Sequence, residues 1–356
     1  MTKPHSDTHA CDSSTRTRDE VAGLADPTDE RSNCGVGAVV DLDGGASHSV
    51  VEDGIELLCN LEHRGTTGAE KDTGDGAGIT VQRPDDFFEA VVGDLPETYA
   101  VGSIFMPQDD DLRADIADFV EATLADYDLE VFEWRDVPTD NSDLGKTAVD
   151  SEPNVQQAFV APTESMTDDE FDRALYLSRK AIEADIDSVD DSGRFYVCSL
   201  DRKTVVYKGL LKGEQLAGYY EDLTDERVKS TLVLVHARFS TNTLGAWHLA
   251  HPYRKIIHNG EINTIRGNIN WMRARESALE DEAFGEDIET LKPITKAGQS
   301  DTASVDNAVE LLLHSGRELP HVLRMLIPEA HENDDTMDPD RQEWYDYHAS
   351  LIEPWD

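Results

Sequence analysis

Apolar positions recur along most of this chain with the periods of strands and helices, but the first 31 residues show almost no such recurrence. Residues 1–31 are rich in Asp, Ser, Thr, Glu and Arg, a composition that cannot bury enough apolar surface to order itself, and they are expected to form a disordered leader. Order is expected to begin near Cys34. Residues 35–42 read as a buried strand. Val51, Ile55 and Leu58 fall on one helical face within 50–61, and 76–82 resumes a strand.

From residue 86 to about 190, helical stretches at 110–126 and 167–186 alternate with strand-like ones at 99–106, 129–134 and 157–161, and this middle region offers the least chemistry. Strand-like runs at 195–200 and 204–207 flank Asp201-Arg202-Lys203 and suggest a hairpin. The unbroken apolar run 231–237 fits a central strand. Helices are expected over about 263–279, 302–315 and 321–326. No repeat of 20–50 residues is visible, and strands interleaved with helices predict a layered α/β or α+β domain.

A chain of 356 residues with 38% hydrophobic content can build one large domain or two ordinary ones. Its 74 acidic residues against 31 basic ones give a net charge of -43, spread throughout, which repels nucleic acid and anionic membranes. The even spread fits a whole-surface adaptation such as that of a salt-loving organism. Four cysteines, at 11, 34, 59 and 198, lack CxxC pairing and the spacing of zinc or iron–sulfur sites. No apolar run approaches the roughly 18 residues of a membrane span, and residues 1–33 lack the apolar centre of a secretory signal. A cytoplasmic protein with reduced thiols is expected.

Candidate chemistry starts at Cys34, where the polar leader meets an apolar strand. If cleavage between Asn33 and Cys34 made this cysteine the N-terminus, its α-amine, with a pKa of about 8, could take the proton of a thiol titrating at about 8.5. One residue would supply nucleophile and base. A lone cysteine beside Gly35-Val36-Gly37 is more often packing than a nucleophile, and its company decides the matter.

Arg238, in the polar run 236–243 that ends the apolar strand, offers a planar fork for a carboxylate. Asp301 could accept an ammonium, or could simply cap the helix that follows it. Asn259-Gly260 reads as a turn, or as an oxyanion hole in which an amide side chain and a glycine N–H point two donors at a developing negative charge. Thr73-Gly74-Asp75-Gly76-Ala77-Gly78 has the spacing of a phosphate loop but lacks Lys-Ser/Thr and precedes a strand. His63-Arg64-Gly65 could end a helix or close over a nucleophile.

Taken in order, these segments resemble the class II (N-terminal nucleophile) glutamine amidotransferases, and more closely the glutaminase domain of the glutamate synthase large subunit. The resemblance runs from about residue 31 to the end. It also draws on 258–264, the Trp271 to Glu276 signature, Ser300-Asp301, 325–330 and 347–356.

What it implies is an α+β fold, a four-layer αββα sandwich of the N-terminal nucleophile hydrolase type, over residues 34–356, with 1–33 removed. It also implies hydrolysis of L-glutamine to glutamate and ammonia through a Cys34 thioester. Asn259 and Gly260 would hold the oxyanion, Arg238 the substrate carboxylate and Asp301 its α-amine. Thr241 and Asn242 would line the pocket. Ammonia would pass to a synthase domain or subunit that aminates 2-oxoglutarate with FMN and an iron–sulfur cluster. None of that cofactor machinery is in this chain, which is expected to be an N-terminal fragment or a separately encoded piece. A catalytically silent glutamine-binding module is the alternative of another class.

Overall fold

The computed structural model describes residues 35–61, 70–238, 245–260, 262–296 and 298–355. In chain order the elements begin with β1 (Val36–Val40), α1 (His48–Asn60), β2 (Ala77–Gln82), α2 (Asp85–Val92), β3 (Ala100–Met106), α3 (Asp110–Ala125), β4 (Leu129–Asp136) and α4 (Lys146–Asp150). They continue with β5 (Asn154–Pro162), α5 (Asp168–Asp185), β6 (Tyr196–Asp201), β7 (Thr204–Gly209), α6 (Leu216–Tyr219) and β8 (Leu232–Ala237). Four helices follow: α7 (Ile265–Glu276), α8 (Asp301–His314), α9 (Leu319–Leu326) and α10 (Pro339–Leu351). The leader and Cys34, His63-Arg64-Gly65, and Thr241 with Asn242 lie outside the described residues.

The chain divides into two compact units. The first comprises Val137–Glu152, Tyr207–Pro252 and the described part of Met1–Phe87, and the second Phe88–Asp136, Pro153–Val206 and Tyr253–Asp356. The first unit is built on a sheet of order β1-β8-β2-β7. The apolar run expected to be a central strand is β8, which pairs antiparallel with β1 on one side and β2 on the other, Val36 facing His236 and Ala77 facing Ala237. Helix α1 turns Val50, Val51, Gly54 and Leu58 inward and leaves its acidic positions to water. Tyr207, Tyr219, Tyr220 and Trp247 form an aromatic cluster with ring centroids 4.8–5.3 Å apart. The buried hydroxyls have partners: Tyr219 donates to Glu152 at 2.9 Å and Tyr207 to Asp222 at 3.2 Å.

The second unit is built on a sheet of order β4-β5-β3-β6, in which every neighbouring pair is antiparallel. Helices α3 and α5 pack with it around Ile104, Met106, Val120, Val160, Phe171 and Leu175. A capping box starts α5, Thr167 and Glu170 satisfying each other's backbone N–H groups. A second core gathers residues from α7, α8 and α9 with Ile352 and Trp355. Two antiparallel sheets dressed with helices give the α+β class expected from the sequence.

Three expectations need correction. Strands β6 and β7 both form, and Asp201 Oδ1 accepts the N–H groups of Lys203 and Thr204 at 2.7 and 3.2 Å in the tight turn between them. They do not make a hairpin, because β6 takes an edge beside β3 while β7 takes an edge beside β2. Cys59 is disulfide-bonded, where reduced thiols were expected. Cys198 is a buried free thiol. Helices α2 and α10 were not anticipated: α2 has only eight residues, too few for its apolar face to repeat, and α10 buries only Tyr345 and His348 and shows no strong period in the sequence. No helix of the described residues is long and apolar enough to cross a membrane.

Candidate active site

In the first unit, Arg238 follows directly on β8 and is 7% exposed. Its backbone N–H donates to Gly76 O at 2.8 Å and its Nη1 to Asp75 O at 3.4 Å, so the glycine-rich segment cradles this arginine. The neighbouring Ala237 N–H donates to Gly35 O at 2.7 Å, which ties the end of β8 to the residue that follows Cys34 in the sequence. The glycines of that segment serve close backbone approach. A Cβ on Gly78 would stand 2.4 Å from His251 O and 2.8 Å from Tyr207 O. His236, opposite Gly78 in the register, stacks on His251 with ring centroids 4.1 Å apart. Burial, with Lys208 and Arg238 nearby, lowers the pKa of His248 and favours its neutral form.

In the second unit, Asn259 and Gly260 are exposed in an irregular segment between Tyr253 and α7. That segment is held by α8. Tyr253 Oη lies 2.8 Å from Ser300 Oγ, His258 Nδ1 lies 3.3 Å from Thr302 Oγ1, and Ile262 N–H donates to Asp301 Oδ2 at 3.2 Å. A Cβ on Gly260 would come 2.9 Å from His258 Nε2, so a larger residue there would push against a ring already set on α8.

Asp301 is not the cap of α8. Ser300 is, its hydroxyl accepting Ala303 N–H at 3.1 Å, and Asp301 is the first helical residue. Its carboxylate takes the N–H of Thr302 at 2.7 Å as well as that of Ile262. The structure thus brings Asp301 together with the Asn259-Gly260 segment, and Arg238 belongs to the first unit. Cys34, Thr241 and Asn242 lie outside the described residues.

Sequence reasoning missed a buried charge network in the middle region it had set aside. Arg179 donates to Glu183 at 2.5 Å and to Glu310 at 2.6 Å, and Arg254 donates to Glu183 at 2.9 Å. Lys255 donates to Asp201 at 2.6 Å. Although burial opposes its ionisation, Glu183 is held well below the usual carboxylate range by Arg179 and Arg254. Burial pushes the Lys180 ammonium down to about 8. A signal was present: Phe171, Leu175 and Arg179 succeed one another at intervals of four on the inward face of α5, and a charge on an apolar stripe calls for a buried partner. Among the described residues, no group of three or more His, Cys, Asp or Glu is placed to hold a metal ion.

These features agree with what comparison with known proteins finds. The family model described as glutamine amidotransferases class-II matches residues 34–356, and the chain belongs to that family of enzymes, an α+β sandwich class. It is 44% identical over 342 residues to the glutamate synthase [NADPH] large chain of Bacillus subtilis, covering 95% of this chain and 22% of that protein. It is 39% identical to a chloroplastic ferredoxin-dependent glutamate synthase of Spinacia oleracea, covering 95% of this chain and 21% of the relative. It is 41% identical to the glutamate synthase [NADH] of Saccharomyces cerevisiae, covering 94% and 16%. The chain therefore spans about a fifth of the length of these relatives.

Proposed function

We propose that the chain hydrolyses L-glutamine to glutamate and ammonia, as the glutaminase part of a glutamate synthase. The observation that carries this reading is the attachment of the Asn259-Gly260 segment to the first turn of α8 beside Asp301, within a chain whose family match opens at Cys34.

Removal of residues 1–33 makes Cys34 the N-terminus. Its α-amine takes the thiol proton, and the thiolate attacks the side-chain amide carbon. As the S–C bond forms, the carbonyl electron pair moves to oxygen, where Asn259 Nδ2 and Gly260 N–H receive it. The tetrahedral species collapses with loss of ammonia, which carries away the proton held by the amine. Water then hydrolyses the thioester and frees glutamate. Arg238 grips the substrate carboxylate and Asp301 its ammonium, with Thr241 and Asn242 lining the pocket.

Ammonia passes to a synthase domain or subunit that aminates 2-oxoglutarate, and FMN and the iron–sulfur cluster belong to that part. The protein works in the cytoplasm, and its acidic surface suits a salt-rich one. The test is ammonia release from glutamine by the intact chain and by Cys34→Ala, with intact mass reporting the N-terminus. Activity in a protein that keeps its leader, or in Cys34→Ala, would refute the scheme.

A further inference from the structure

We infer that Asp306, which plays no part in the scheme above, is a positioning residue for the segment that carries the oxyanion donors. The inference rests on the glutaminase reading for its catalytic consequence and on geometry for its substance.

Asp306 lies one helical turn beyond the site end of α8 and is 0% exposed. Its Oδ1 accepts the backbone N–H of Lys255 at 2.9 Å and of Ile256 at 3.2 Å, and its Oδ2 that of Arg254 at 3.4 Å. Three consecutive amides thus converge on one carboxylate. The Arg254 guanidinium balances the charge, Nη1 standing 3.6 Å from Oδ2. Tyr253 N–H donates to Ile256 O at 3.1 Å, so the amides leave a tight turn already pointed at α8.

Among its described residues, segment 253–262 has no ladder of its own to fix it. Its far end is tied to α8 through Ile262 on Asp301, its middle through His258 on Thr302, and its near end through Asp306. Asn259 and Gly260 lie in the span between these ties. Oxyanion donors act by being in place before charge develops, and a displacement of about 1 Å can cost two orders of magnitude in rate. A buried carboxylate with several N–H partners is a rigid anchor, because moving the segment would leave it unpaired.

The test uses the intact chain. Asp306→Ala is expected to lower kcat by about tenfold to a hundredfold and to leave the KM for glutamine within about threefold, because the donors matter most as charge develops. Asp306→Asn keeps an oxygen for the Lys255 and Ile256 amides and is expected to retain most of kcat. Inhibition by L-glutamate γ-semialdehyde, whose thiohemiacetal places an oxygen at the same donors, should weaken in parallel with kcat, while inhibition by L-glutamate should not. A kcat within about threefold of wild type in Asp306→Ala, or equal weakening of both inhibitors, overturns the inference.

Hydrogen exchange in the wild-type protein decides the anchor without relying on activity or on the variant folding. The amides of Lys255 and Ile256 should be protected as strongly as those of α8, and exchange at the rate of open loops overturns the proposal. Ammonia release by Cys34→Ala would instead remove the glutaminase reading and leave the exchange result standing.

Discussion

Arg179 on α5 donates to Glu310 on α8 at 2.6 Å, with the two side chains 2% and 4% exposed. The same guanidinium holds Glu183 one turn along its own helix, so one cation bridges two buried carboxylates, the second of which it shares with Arg254. Replacing it with methionine keeps the volume but leaves both anions facing an apolar side chain. Arg179→Met is expected to destabilise the fold by about 3–5 kcal/mol in urea titration, the penalty of a broken buried pair. A loss below about 1 kcal/mol would show that the network is hydrated and dispensable.

Gly78 predicts a steric effect in the first unit. With His251 O and Tyr207 O at 2.4 and 2.8 Å from an added Cβ, Gly78→Ala has to displace the backbone of two neighbouring segments. The expected loss is about 1–3 kcal/mol or more, and thermal unfolding would read it. An unchanged melting temperature would contradict the close approach.

Asp301 offers a substrate prediction. Its carboxylate already takes two backbone N–H groups, which Asn can satisfy in part, so the change removes charge more than shape. Hydrogen bonds to charged groups contribute about 1.5–3 kcal/mol, and Asp301→Asn is expected to raise the KM for glutamine by about ten- to a hundredfold. Steady-state kinetics check this, and an unchanged KM would take the ammonium contact away from Asp301.

His314 gives the pH dependence a sign. Its ring stacks on Tyr176 at 4.5 Å, and burial pushes its pKa down from 6.5 to about 4. The unfolded chain therefore takes up a proton here before the folded one does. Stability from this residue is complete above pH 6.5 and declines as the pH falls toward 4. His314→Gln removes the titration, so the gap between wild type and variant should narrow in the wild type's disfavour as denaturant midpoints are followed from pH 7 to about 4.5. A constant gap would mean that the imidazole titrates alike in both states.

The extended elements were legible because their patterns are strong. The apolar run that became β8, the amphipathic stripes of α3 and α5, and the polar clusters at the end of β8 and before α8 all stand out along the chain. Sheet membership was not legible, since β6 and β7 are separated by two residues and only non-local pairing sends them to different sheets. The capping role of Ser300 over Asp301 was missed for a similar reason: the two residues are adjacent, and a shift of one position changes which hydroxyl or carboxylate meets the free N–H groups. Asp306 and Arg179 went unseen because a charged residue inside a helix reads as a solvated face until the elements packed on it are known.

The division of the chain into interleaved segments has a consequence for synthesis. The boundaries fall after Phe87, Asp136, Glu152, Val206 and Pro252, so neither unit is a continuous stretch, and the second has to wait for the residues beyond Pro252. The core that seats α8 also draws on Ile352 and Trp355. That core is therefore complete only once residues up to Trp355 have emerged from the ribosome. Until then apolar residues of that core already made, such as Ile262 and Met272, stand uncovered, which makes the growing polypeptide a client for chaperones during translation.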